Sequence, residues 1–146
     1  MILEVKNKSI NLVFKIKKIV DIANLLKNKN FEEAFTKAYS MCDIEALAKI
    51  ICKLAETDDC KSVFTSYDEV YDFIDECRME GITVNELYKR IAEALNEEGF
   101  FKKKMNKKEL AEMTLNPLLN MNELVQKSAE NAISKIAEQE FQGYKG

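Results

Sequence analysis

"MILEVKNKSINLVFKIKKIVDIANLL", Met1 to Leu26, decides the fold, because the hydrophobic period changes along it. Ile2, Val5, Ile10, Leu12, Phe14 and Ile16 are apolar, with lysine and asparagine between them. From 10 to 16 the period is two, the signature of a half-buried strand. "KNKS" at 6–9 supplies turn residues, so 2–6 and 9–16 are expected to form a β-hairpin. From Ile19 the spacing becomes helical, through Ile22, Ala23 and Leu26. An isolated hairpin is marginal in water, so this one is expected to lie against helices.

Working outward, the rest of the chain reads as helices. "KNKN" at 27–30 ends the first, and Asn30 caps a second with Phe31, Ala34, Phe35 and Ala38 on one face. Asp43 caps a third, with Ile44, Leu47, Ala48, Ile51, Leu54 and Ala55 inward. "ETDDCKS" at 56–62 is a loop. Ser66 and Glu69 form a capping box for a fourth helix, whose stripe is Tyr67, Val70, Tyr71, Ile74 and Cys77. Gly81 ends it, and Thr83 with Glu86 opens a fifth, carrying Val84, Leu87, Tyr88, Ile91 and Leu95. Gly99 stands where a C′ glycine belongs. Asn106 and Glu109 open a short sixth helix. Asn116-Pro117 breaks it and starts a seventh, reaching about Phe141, with a narrow stripe of Leu118, Met121, Val125, Ala129, Ala132 and Ile136. Such a seam suits a partner helix as well as it suits the chain's own domain. The fold class is therefore mainly α with a small N-terminal β-hairpin. Residues 1–104 form a compact multi-helix domain, and 105–146 form a helical C-terminal extension.

Composition narrows the function. The chain of 146 residues has 47% hydrophobic and 32% charged residues, one proline and four glycines, which favours a globular protein with long helices. Its apolar runs fall well short of the about 18 residues of a membrane span. The N-terminus interleaves charge with apolar residues, unlike a secretory signal. Cysteines at 42, 52, 60 and 77 form no CxxC pair and there is no histidine. Neither a zinc site nor a disulfide framework is expected, and a reducing cytosol fits. Cys52 and Cys77 read as small buried hydrophobes. No nucleotide, zinc-protease or serine-hydrolase motif occurs. Asp72, Asp75, Glu76 and Glu80 read as a solvated face of the fourth helix, so no catalytic residue, metal or cofactor is expected. Charge is segregated: residues 1–29 are net +5, residues 30–101 net −10, and residues 102–146 net +2.

The exit from the fifth helix, "EGFFKKKMNKKEL" at 98–110, places Phe100 and Phe101 directly against Lys102, Lys103, Lys104, Lys107 and Lys108. Residues so unlike do not share one environment. Phe100 and Phe101 are expected to close the core as a joint, with the lysines solvated beyond them.

The order of these features resembles the small tail assembly chaperones of long-tailed bacteriophages and their prophages. "LEVKNKSINLVFKI" running into a helix, an acidic helical middle, and "ELYKRIAEALNEEG" reaching "FFKKKMNKK" carry the resemblance over residues 1 to about 108. It implies a protein that binds the tape measure protein, a very long helical chain, and coats it before the tail tube polymerises. It further implies contact with the tail tube protein, self-association, and absence from the finished virion. Many weakly bound copies would keep an amphipathic partner soluble yet displaceable. Such families often make a longer form by ribosomal frameshifting, and Phe-Phe-Lys-Lys-Lys suits a slippery message. Two other readings stand beside it: a nucleic-acid-binding regulator using Lys102–Lys108, and a cytosolic helical adaptor.

Overall fold

A computed structural model describes residues 1–6 and 8–113. The chain divides into a compact unit, Met1–Leu110, and a second, Ala111–Gly146, which lies almost wholly outside the described residues. The expected seventh helix and its stripe, Leu118 to Ile136, also fall outside them.

The first unit begins with two antiparallel strands, β1 (Ile2–Val5) and β2 (Lys8–Leu12), with Leu3 opposite Ile10. Leu3, Val5, Ile10 and Leu12 alternate onto one buried face, as a period of two requires. The N-terminal ammonium donates to the Leu12 carbonyl at 3.1 Å, and the Leu12 N–H donates to the Met1 carbonyl at 2.8 Å, so the hairpin is closed at its open end.

The second strand is shorter than its alternation suggests. It ends at Leu12, and helix α1 (Ile16–Leu25) starts where the strand was expected to finish. Ile16 is consequently 70% exposed rather than packed. The hairpin is also not alone. Beyond α2 (Phe31–Ser40) and α3 (Ile44–Leu54), the chain runs extended into β3 (Ala55–Glu56), which pairs antiparallel with β2. "ETDDCKS" therefore contributes a third strand, too short to show a period. Ala55 is buried as a strand residue and not as the last helical one.

Helix α3 packs between α1 and α4 (Tyr67–Met79) and also meets β2, so Leu47, Ile50, Ile51 and Leu54 lie at the centre of the core. Ile44 begins α3 and is exposed, because the first residue of a helix precedes its packed turn. Helix α4 is rotated from its expected face: Val70, Phe73, Ile74 and Cys77 are buried, whereas Tyr67 and Tyr71 face solvent. Phe73 carries no hydroxyl to keep wet, and the tyrosines do. Helix α5 (Val84–Glu97) buries Leu87, Tyr88, Ile91, Ala92 and Leu95. Helix α6 (Lys107–Ala111) follows.

The caps explain the helix limits. Asn30, Asp43, Ser66 and Thr83 each accept from the backbone N–H three residues on. At α4 the reciprocal arm reaches past Ser66, and the Glu69 carboxylate accepts from Thr65 N–H and Oγ1. Asn106 and Glu109 make both arms of the box that opens α6. Four helices end in the same paired bonds. For α5 these run from Phe100 N–H to the Leu95 carbonyl and from Gly99 N–H to the Asn96 carbonyl. Gly81 and Gly99 hold the left-handed position for α4 and α5, but Lys27 (φ 58°) and Cys42 (φ 48°) hold it for α1 and α2. Only glycine adopts this conformation without Cβ crowding. Lys27→Gly is therefore expected to stabilise the protein by about 0.5–1 kcal/mol, read as a higher urea midpoint with an unchanged slope.

The sheet is tied to the helices by charge as well as by packing. Glu56 on β3 is ion-paired with Lys18 on α1, and Lys15 lies 3.8 Å from the same carboxylate. The Lys18 hydrogen bond holds the Glu56 carboxyl below the usual glutamate range. A depressed folded value means the stabilisation is present above the ordinary value of about 4.3 and disappears as pH falls through the folded one. Glu56→Gln is therefore expected to lower Tm at pH 7, and the gap from wild type should close as pH is taken below about 4. A gap that persists unchanged in acid would show that the pair contributes nothing.

Candidate functional site

Helix α5 runs at Glu98 into the strap "EGFFKKKMNKKEL". The paired bonds at Gly99 reverse the chain and turn Phe100 and Phe101 back toward the helices. Phe101 is 6% exposed, with its ring 6.1 Å from that of Phe35. Phe100 is half-buried, 6.1 Å from Phe14. Phe35 is shared by Phe31, Tyr39, Tyr88 and Phe101, so Phe101 is part of an aromatic cluster. Within it the Tyr88 hydroxyl donates to the Asp43 carbonyl at 2.5 Å, joining α5 to the start of α3. Burial pushes the Tyr88 phenol far above its ordinary value, so it remains a neutral donor.

The strap is held by a residue that the hydrophobic pattern does not single out. Asn96 is 7% exposed and lies on the packed side of α5. Its Nδ2 donates to the Met105 carbonyl at 3.0 Å, and its Oδ1 accepts from the Met105 N–H at 2.8 Å. A side-chain amide thus pairs with the backbone of one residue as a strand neighbour would. A polar residue in the last turn, between Leu95 and the glycine stop, is the signal that sequence offered. Earlier in the strap, the Lys102 N–H donates to Glu32 Oε1 on α2 at 2.7 Å.

The lysine run is partly neutralised. Lys103 pairs with Glu109 at 3.2 Å and Lys104 with Glu97 at 3.5 Å. Several carboxylates on and just beyond α4 have structural partners too. Glu76 pairs with Lys8 at 3.1 Å, Glu80 accepts from the Lys6 N–H at 3.3 Å, and Asp75 pairs with Arg78 at 2.7 Å. Two of the four residues read as a solvated face, Glu76 and Glu80, therefore hold the hairpin turn against α4. Cys77 is buried, Cys52 half-buried, and Cys42 and Cys60 exposed, all as free thiols. Burial pushes the Cys77 thiol up to about 11, where it does not ionise at neutral pH.

Apolar side chains also reach the surface. Ile16 and Val20, at 70% and 53% exposure, lie four residues apart on α1 and form one outward row. No helix among the described residues is long and apolar enough to cross a membrane.

Residues 2–109 match the family model described as phage tail assembly chaperone protein, TAC. The chain belongs to the phage tail assembly chaperone family. The match spans the sheet, the five long helices among the described residues and the strap, and ends within α6. No curated protein and no solved structure matches the chain. Membership makes this a tail assembly chaperone whose role is to bind tail proteins, and it points to binding and not to catalysis.

Proposed function

We propose that this chaperone binds the tape measure protein and keeps it soluble before tail tube subunits polymerise around it. The family match over residues 2–109 carries the reading. The exposed row of Ile16 and Val20 on α1 supports it, because an apolar row on an outer helix face fits the stripe of a helical partner. In this reading 1–104 is the chaperone domain with Phe100 and Phe101 as its closing joint. Residues 105–146 are a helical extension whose stripe, Leu118, Met121, Val125, Ala129, Ala132 and Ile136, makes a second contact, with the same partner or with another copy. The protein acts without enzymatic activity in the host cytoplasm and is absent from the mature virion. Pairing of Lys103 and Lys104 with carboxylates speaks against a nucleic-acid role for the lysine run.

The test is co-expression with the tape measure protein of the same phage, followed by pull-down and a solubility assay. Wild type should retain the partner in the soluble fraction. Ile16→Asp with Val20→Asp should release it while leaving the chaperone folded, since both side chains are already in water. A partner equally soluble with and without the chaperone would overturn the reading.

A further inference from the structure

We propose that the first unit carries a second docking surface, beside β2, for an extended basic segment of a partner protein. Three observations meet there. The first is an open strand edge. Val13 N–H donates to the Leu54 carbonyl at 2.8 Å, and Asn11 lies opposite Glu56, so alternate residues of this stretch face β3. The next in that alternation is Ser9, and β3 ends at Glu56, before reaching it. The Ser9 N–H and carbonyl therefore lie along an edge with no strand beside it among the described residues.

The second observation is a groove of about 490 Å3 along that edge. Lys8, Ser9 and Ile10 form one wall, Glu69, Asp72 and Phe73 on α4 the other, and Val63 and Phe64 close the end. Phe64 and Phe73 pack with their rings 5.8 Å apart, so one end is built of fixed apolar surface. The volume falls within the range of about 300–1,000 Å3 typical of binding pockets.

The third is charge. Lys8 is committed to Glu76, and Glu69 to Thr65, whereas Asp72 meets no cation among the described residues. The wall opposite the strand edge is thus acidic. An added strand would accept a hydrogen bond from the Ser9 N–H and donate one to its carbonyl, place an apolar side chain against Phe64 and Phe73, and set a lysine or arginine beside Asp72. Main-chain pairing would supply affinity and the groove specificity. A helix cannot make this contact, because its backbone groups are already paired. The surface is therefore separate from the α1 row and independent of the tape measure reading.

The experiment is fluorescence anisotropy with the full chain and three short labelled peptides. One alternates valine with lysine, one alternates valine with glutamate, and one is a helical alanine–lysine peptide of the same charge as the first. The valine–lysine peptide should bind best. Ser9→Pro removes the edge donor without touching the bonds to β1, and Asp72→Lys reverses the wall. Each should weaken binding by about tenfold while Tm is unchanged. Should Ser9→Pro not fold, Val63→Trp, which fills the groove, replaces it with the same expected loss. Equal binding of all three peptides, preference for the helical or glutamate peptide, or wild-type binding by the variants would overturn the proposal.

Discussion

Phe101→Ala is expected to destabilise the protein by about 3–5 kcal/mol, a fall in Tm of roughly 10–20 °C. The ring is almost wholly buried and rests on Phe35, the residue on which Phe31, Tyr39 and Tyr88 also converge. Removing it opens a cavity against a Phe35 ring held by three other aromatic contacts, which limits collapse into the space. Phe100 is half-buried and, among the aromatic rings of the described residues, meets Phe14 alone, so Phe100→Ala should cost less than half as much. The double serine variant should lose at least as much as Phe101→Ala, because two hydroxyls then sit at an apolar joint. Thermal melts decide it. A double variant as stable as wild type would mean the joint does not close the core.

The second large effect is expected at Asn96. Asn96→Ala leaves the Met105 N–H and carbonyl without their partners in a half-buried setting, at a cost of about 1–3 kcal/mol. Asn96→Asp should not rescue it: a carboxylate accepts from the N–H but faces the carbonyl, to which it has no proton to donate. Truncation supplies the complementary arm. Ending the chain after Leu110 should leave the urea midpoint of the first unit near that of the full protein, since all of Met1–Leu110 is retained. Ending it after Lys104 removes Met105 and should lower it by an amount close to that of Asn96→Ala. Combined, the two changes should cost much less than their sum, because they delete one interaction. Strict additivity would show that the clasp is not what holds the strap.

Much of the helical architecture was legible because its signals are local. Asn30, Asp43, Ser66 and Thr83 cap the helices they were expected to cap, and Gly81 and Gly99 end theirs in the left-handed position. What escaped notice is non-local. Ala55 and Glu56 are two residues, too few to show a period, and become a strand only because β2 offers them a ladder. Asn96 looks like any polar residue near a helix end until the chain turns at Gly99 and brings Met105 back to it. Around the candidate surfaces, Phe100 and Phe101 stood out as a pair of adjacent phenylalanines. The groove beside β2 was not, since its walls come from residues far apart in the chain.

The sequence alone determined the class of this protein: a short alternating stretch, a change to helical period, and a series of capped amphipathic helices leave few other folds. It determined where the helices start because capping is a contact between residues three apart. The tertiary structure decided which way those helices face. On α4 the sequence permits Tyr67 and Tyr71 or Phe73 to point inward. Packing against α3 and Phe64 selected Phe73, because burying a tyrosine requires a hydrogen-bond partner for its hydroxyl and burying a phenylalanine does not. It likewise decided that two carboxylates, Glu76 on α4 and Glu80 just past its end, hold the hairpin turn, a pairing across more than sixty residues that no local pattern encodes.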